Sequence, residues 1–166
     1  MRVEFVRASP ARQLRALLAF DRKIFSASDR FPASYWRKIE SFWMLLDGER
    51  VGCCAFERDV DFKEDLRDDG LNPRRSRSLY IATTGILPKY QNLGLGQLFK
   101  SWQVAYAKRN GFERVLTNSR ASNKRMIAIN RRLGFRVIRR TPGYYTDPEE
   151  GTVVMELELA KRASRR

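Results

Sequence analysis

Residues 86–98 read ILPKYQNLGLGQL. The apolar run Leu79–Leu87 ends at Pro88. Gly94 and Gly96 then precede Leu95, Leu98, Phe99, Trp102 and Tyr106, which fall on one helical face. Glycines between a strand and a helix let backbone N–H groups turn outward and approach a ligand closely, and the unsatisfied donors of the first helical turn add positive potential. A loop of this build is shaped to hold phosphate. Two familiar phosphate loops are excluded: Gly94-Leu95-Gly96-Gln97 lacks the Gly-Lys-Ser/Thr of the Walker type, and a dinucleotide fingerprint needs a third glycine near Phe99 and an N-terminal βαβ setting.

Outward from this loop the chain alternates. Upstream, Arg2–Val6 has strand composition, Ser9-Pro10 is a cap and first-turn signal, and Leu14, Leu17, Leu18, Ile24 and Phe25 recur at helical spacing. A short helix is expected over Ala33–Ile39. Phe42–Leu46 and Val51–Phe56 flank Asp47-Gly48, a hairpin signal. Downstream, Gly111 ends the helix and Arg114–Ser119 reads as a strand. Met126, Ile129, Asn130 and Leu133 mark a second helical face closed by Gly134, and Phe135–Arg140 and Thr152–Leu159 supply two more strands. The pattern predicts one mixed α/β sheet domain over residues 1–160, with a basic tail over 161–166. Residues 58–78, RDVDFKEDLRDDGLNPRRSRS, interrupt it as an irregular charged insertion, a lid or a solvated excursion.

Composition bounds the chemistry. With 43% hydrophobic and 31% charged residues, the 166-residue chain can bury a core and is not of disordered type. The absence of histidine excludes Ser-His-Asp and Cys-His nucleophile chemistry and the common zinc sites, so no metal is expected. Cys53 and Cys54 are adjacent in a strand-like run and point to opposite faces, as buried, inert thiols would. No apolar stretch reaches the length of a membrane span, and the first twenty residues mix charge into their apolar positions, so a cytoplasmic protein with no membrane association is expected. The net charge of +14 points to an anionic partner, such as a phosphorylated cofactor or nucleic acid.

Three segments together resemble the GNAT acyltransferase superfamily: Gln91-Asn92-Leu93-Gly94-Leu95-Gly96, the strand end Thr84-Gly85-Ile86-Leu87-Pro88, and Asn123–Ile129 running on to Gly134-Phe135. The likeness spans about Ser78–Leu159, and the first half fits more loosely. It implies a single α/β domain with a mixed, mostly antiparallel sheet of about seven strands and helices on both faces. It also implies acetyl-CoA as acyl donor. Ile86 and Leu87 would pair with the pantetheine amides, Gln91, Asn92, Gly94, Leu95, Gly96 and Gln97 would surround the pyrophosphate, and Asn123 would meet the cofactor near its reactive end. Lys89, Arg131 or Arg132 could offset the remaining phosphate charge.

The implied reaction is direct acetyl transfer to a primary amine, without a covalent enzyme intermediate. The strand-four position where some members carry glutamate is Tyr80, the strand-five position used in others is Asn118, and the helix-four tyrosine of many is Asn130. Asparagine can orient or hydrogen-bond but cannot act as base. Tyr145, on the loop before the final strand, is favoured over Tyr144 as general acid, and the tyrosine pair is similar to one in acetyltransferases that modify protein N-termini. The catalytic candidates are therefore Tyr145, Asn130 and Tyr80, with solvent as a source of base. The acceptor is an amine-bearing small molecule or a peptide, with a tilt toward peptide. Two other classes stay open: a catalytically weak acyl-CoA-binding sensor or partner-binding protein, and a basic nucleic-acid-binding module. No helix-turn-helix, zinc finger or RNA-binding sheet motif supports the latter, so nucleic acid is not the expected partner. The acceptor, the length of the acyl group, the general base and the oligomeric state, a dimer included, are left open.

Overall fold

The structure, a computed structural model, describes residues 1–58 and 77–159. Most of the charged insertion and the basic tail lie outside these. Among the described residues, seven strands form a sheet in the order β1-β2-β3-β4-β5-β7-β6, with four α-helices between strands. Strands β1/β2, β2/β3, β5/β7 and β6/β7 pair antiparallel, as expected. The chain divides into two compact units, one built from residues 1–57 and 81–99, the other from 58–80 and 100–166.

In the first unit, β1 (Val3–Ala8) leads into α1 (Pro10–Ile24), α2 (Ala33–Trp36), β2 (Glu40–Leu46) and β3 (Glu49–Arg58). The start of α1 is set by Ser9 and Pro10, but the cap is made from the other direction. Gln13 Oε1 accepts from the Ser9 N–H at 3.0 Å and from the Trp43 indole at 3.1 Å, tying helix to strand. Trp43 is 1% exposed, and Phe20 meets it edge-on at 5.3 Å. Truncating an aromatic buried this way costs about 3–5 kcal/mol. Asp47 (φ 49°) and Gly48 (φ 88°) form the hairpin turn that their dipeptide predicts. The second helix is only four residues long, because Ile39 turns into the core ahead of β2. Gly85 marks close packing of α1 on the sheet: a Cβ there would lie 2.8 Å from Ile24 Cδ1.

β4 (Ser78–Ile86) and α3 (Leu95–Arg109) begin in one unit and end in the other. The helix buries Leu95, Phe99, Lys100, Gln103, Val104 and Ala107, while Leu98, expected on the apolar face, is 42% exposed. Lys100 Nζ donates to Thr117 Oγ1 at 3.5 Å, so its buried stem counts as core while its head is hydrogen-bonded.

The second unit holds β5 (Arg114–Arg120), α4 (Lys124–Arg132), β6 (Arg136–Thr146) and β7 (Glu149–Glu158). Asn123 caps α4 by accepting from the Met126 N–H at 3.1 Å. The β5/β7 register is unbroken from Arg114↔Glu158 to Arg120↔Thr152. Alternation therefore puts Leu116, Asn118, Arg120, Thr152 and Val154 on one face and Val115, Thr117, Val153 and Met155 on the other. β6 runs six residues past the predicted Arg140. Pro142-Gly143 does not end it, because β6 is an edge strand that can spare an N–H, and a register shift between Thr141 and Tyr145 absorbs the extra residues. Tyr144 and Tyr145 thus sit on a strand, not on a loop.

Candidate functional site

The glycine loop lies in the first unit. Asn92 (φ 67°) and Gly94 (φ 78°) both adopt left-handed backbone, which turns successive peptide units outward. Gly94 accepts from the Leu98 N–H at 3.2 Å, so it is the residue before the helix, and Leu95, Gly96 and Gln97 make the first turn, whose N–H groups have no acceptor within the helix. A Cβ on Gly94 would meet no atom within 4 Å, so space is open at the loop. Uncharged donors at a helix N-terminus beside open space fit a pyrophosphate.

Three residues here have partners within the unit. Leu87 donates its N–H to Val51 and accepts at its carbonyl from Tyr90, both at 2.9 Å, so its N–H is paired within the unit and its carbonyl keeps one lone pair for a further bond. Gln91 turns its side-chain amide back to the Ile86 carbonyl at 3.0 Å, shaping the loop rather than reaching out of it. Lys89 lies 3.9 Å from Glu49 and 4.6 Å from the Tyr90 ring, and its contact with Tyr90 raises its pKa.

The second unit gathers Tyr80, Asn118, Tyr145 and Thr152. The Tyr80 hydroxyl donates to Asn118 Oδ1 at 2.5 Å, and Asn118 Nδ2 donates to the Tyr145 hydroxyl at 3.4 Å and to Thr152 Oγ1 at 3.3 Å. Thr152 in turn donates to the Ser119 carbonyl at 3.1 Å. Tyr145 is half-buried under Arg120, whose guanidinium stands 4.2 Å from the ring centroid, and the exposed Tyr144 packs edge-on against it at 5.0 Å. Arg120 also donates to the carbonyls of Asp147 and Pro148 and to Glu150. Beside this hairpin is a groove of about 460 Å³, bordered by Arg140–Gly143, Glu149–Val153 and Ala121.

Of the three catalytic candidates, the structure brings Tyr80 and Tyr145 together and leaves Asn130 out. Asn130 is fully buried, its Nδ2 meets Met155 Sδ at 3.7 Å, and Met155 is on the opposite face of β7 from Thr152. Asn123, exposed at the start of α4, has its Oδ1 engaged as the cap. Arg131 and Arg132 occupy the last turn of α4, where the helix dipole accounts for them. Sequence reasoning allowed Asn118 to orient or hydrogen-bond but left it off the catalytic candidates, and it overlooked Thr152 and Arg120. The signal was the even spacing Leu116, Asn118, Arg120 opposite Val154 and Thr152. Cys53 and Cys54 are buried thiols that are not joined in a disulfide. Among the described residues no group of side chains could hold a metal ion, and no helix is long and apolar enough to cross a membrane.

A sequence model described as the acetyltransferase (GNAT) family matches residues 11–135. No curated protein is similar enough in sequence to count as a match. Among solved structures, the ribosomal-protein-S18-alanine N-acetyltransferase from Escherichia coli is similar with a TM-score of 0.77 at 17% identity, covering 99% of each chain. NAA60 from Arabidopsis thaliana in complex with acetyl-CoA has a TM-score of 0.77 at 19% identity, over 95% of this chain and 99% of that one. yncA, a putative acetyltransferase from Salmonella typhimurium with its cofactor acetyl-CoA, has a TM-score of 0.73 at 15% identity, over 100% and 99% of the two chains. At these identities the structures speak for the fold, and the sequence match, covering most of the chain, speaks for the family. The chain belongs to the GNAT family of acetyltransferases, an acyltransferase with acetyl-CoA as its acyl donor.

Proposed function

We propose that the chain transfers the acetyl group directly to the α-amine at the N-terminus of a peptide or protein. The observation that carries this reading is the make-up of the Asn118 cluster: two phenols, an amide and an alcohol, none of them a base at neutral pH. An attacking amine must be neutral. An α-amine titrates near ~7.7–8.0 and a lysine near ~10.4, so at neutral pH the α-amine offers roughly 300-fold more of the reactive form. A site without a strong base is matched to the acceptor that needs it least. The groove bordered by Arg140–Gly143 of β6 and Glu149–Val153 of β7 gives an extended chain end room to lie. The names of two similar structures, an S18-alanine N-acetyltransferase and the NatC complex bound to Gag peptide and CoA, are in keeping with this acceptor.

The thiols support direct transfer. Burial pushes the Cys53 thiol well above its usual value, with Cys54 and Asp21 adding to the effect, and Cys54 is fully buried, so neither supplies a thiolate for an acyl-enzyme. Bound acetyl-CoA supplies a thioester carbonyl open to attack and a thiolate leaving group. Gly94, Leu95, Gly96 and Gln97 would hold its pyrophosphate through backbone N–H groups. Tyr145 would protonate the departing sulfur, and bulk water would take the proton lost by the amine and return one to Tyr145.

The test is a panel of peptides with free or blocked N-termini and an internal lysine, assayed with acetyl-CoA by mass spectrometry. The expected product carries the acetyl group on the α-amine, and blocking that amine abolishes it. Modification of lysine alone, or of small amines alone, would overturn the acceptor assignment.

A further inference from the structure

We infer that the first unit holds one buried water molecule between α1 and α2, accepting from the Trp36 indole and donating to the Asp21 carboxylate. The starting point is an indole without an acceptor. Trp36 ends α2 and is 1% exposed, and its Nε1 has no hydrogen-bond partner among the described residues. Buried N–H groups are almost always paired, with protein or with ordered water. Asp21, in the last turn of α1 and 4% exposed, has the complementary need. Its Oδ2 accepts from the Phe31 N–H at 3.1 Å, and a carboxylate this far from solvent calls for further donors. Burial pushes the Asp21 carboxyl above its ordinary value, and the Phe31 N–H, the Trp36 indole and the Arg30 and Arg22 guanidiniums pull it back. The indole therefore faces the carboxylate, yet the two are not in bonding geometry.

Both residues border one cavity of about 10 Å³, together with Cys53 of β3 and Thr83 and Gly85 of β4. All of them belong to the first unit. A single water needs about 10–15 Å³, so the cavity has room for one and for nothing larger. The chemistry then selects the occupant. Toward the indole it must accept, and toward the carboxylate it must donate or carry positive charge. Sodium, potassium or ammonium would satisfy Asp21 but has no lone pair for the indole. A small anion would satisfy the indole but meets the charge of Asp21. Water does both. Asp21 then anchors the chain between α1 and α2 at two points, Phe31 directly and Trp36 through the water.

The experiment is water–protein NMR on the isotopically labelled full chain, with each indole signal assigned through its own ring and backbone resonances. Trp43 is the internal control: it is also 1% exposed, but its indole already donates to Gln13 at 3.1 Å. The Trp36 indole N–H should show a cross-peak to water, of opposite sign in the laboratory and rotating frames as dipolar contact with a bound water requires, and Trp43 should show none. Asp21→Leu removes the carboxylate and should abolish the Trp36 cross-peak. If that variant does not fold, the wild-type spectrum decides alone. Adding sodium or ammonium chloride should leave the cross-peak unchanged. A folded wild type whose Trp36 indole is silent toward water, a cross-peak that survives Asp21→Leu, or equal cross-peaks at Trp36 and Trp43 would overturn the inference. Loss of the cross-peak on adding either salt would give the cavity to a cation and overturn it as well.

Discussion

Arg120 holds its guanidinium 4.2 Å from the centre of the Tyr145 ring while donating to the Asp147 and Pro148 carbonyls at 3.0 and 2.9 Å. One planar cation thereby fixes both the candidate acid and the turn that follows it. Lysine has neither the fork nor the flat face for this. Arg120→Lys should lower kcat about 10-fold, leave KM for acetyl-CoA unchanged and reduce the melting temperature by a few degrees, at ~2–4 °C per kcal/mol for a chain of this size. Wild-type kcat in the folded variant would show that the stacking does not serve catalysis.

The same hairpin carries a pH dependence. Glu150 accepts from the Ser122 N–H at 2.5 Å and from Arg120 at 3.3 Å, and these contacts, Ser122 first, hold its carboxyl below the usual glutamate range. A depressed carboxyl contributes stability above its unfolded pKa and loses it as pH falls through the folded value. Melting temperature should therefore drop as pH is lowered through and below the ordinary glutamate range. Glu150→Gln should flatten part of that drop. Identical profiles for the two proteins would remove Glu150 from the account.

At the loop, Gly94 has open space but a left-handed backbone. Gly94→Ala should cost about 1 kcal/mol of stability through strain and weaken acetyl-CoA modestly. Gly94→Asp adds a negative charge where the pyrophosphate is expected and should weaken acetyl-CoA at least 10-fold further while remaining folded. Calorimetry giving equal affinity for the two variants would move the cofactor off this loop.

Asn130, buried with its Oδ1 lacking a donor among the described residues, belongs to packing between α4 and β7. Asn130→Ala should lower the melting temperature by several degrees and leave kcat within about twofold. A large loss of kcat with an unchanged melting temperature would return it to the site.

The order of elements and the glycine loop were legible because each is written in local pattern: apolar period, Asp-Gly at the hairpin, Gly134 after α4, Gly94 before α3. What local pattern could not show was set by partners distant in sequence. The length of β6 depends on its being an edge strand, so Pro142 looked like a stop. The exposure of Leu98 and the burial of Lys100 depend on what packs beside α3. Asn130 carried the helix-four position of the family motif, but only the β7 register shows that its side chain meets Met155 on the face away from Asn118. Asn118 read as a group able to hydrogen-bond but not to act as base, and its partners, Tyr80 and Thr152, lie 38 and 34 positions away.

The central claim is one-step acetyl transfer from acetyl-CoA to an amine, and intact-protein mass spectrometry in a single turnover tests it most directly. The enzyme is mixed with equimolar acetyl-CoA, first without and then with a peptide bearing a free N-terminus, and CoA release is followed in parallel. The account predicts no acetylated enzyme at any time, and one acetylated peptide for each CoA released. An acetyl-enzyme that forms before peptide is added and is then discharged to it, or CoA released with no acetylated peptide, would contradict it.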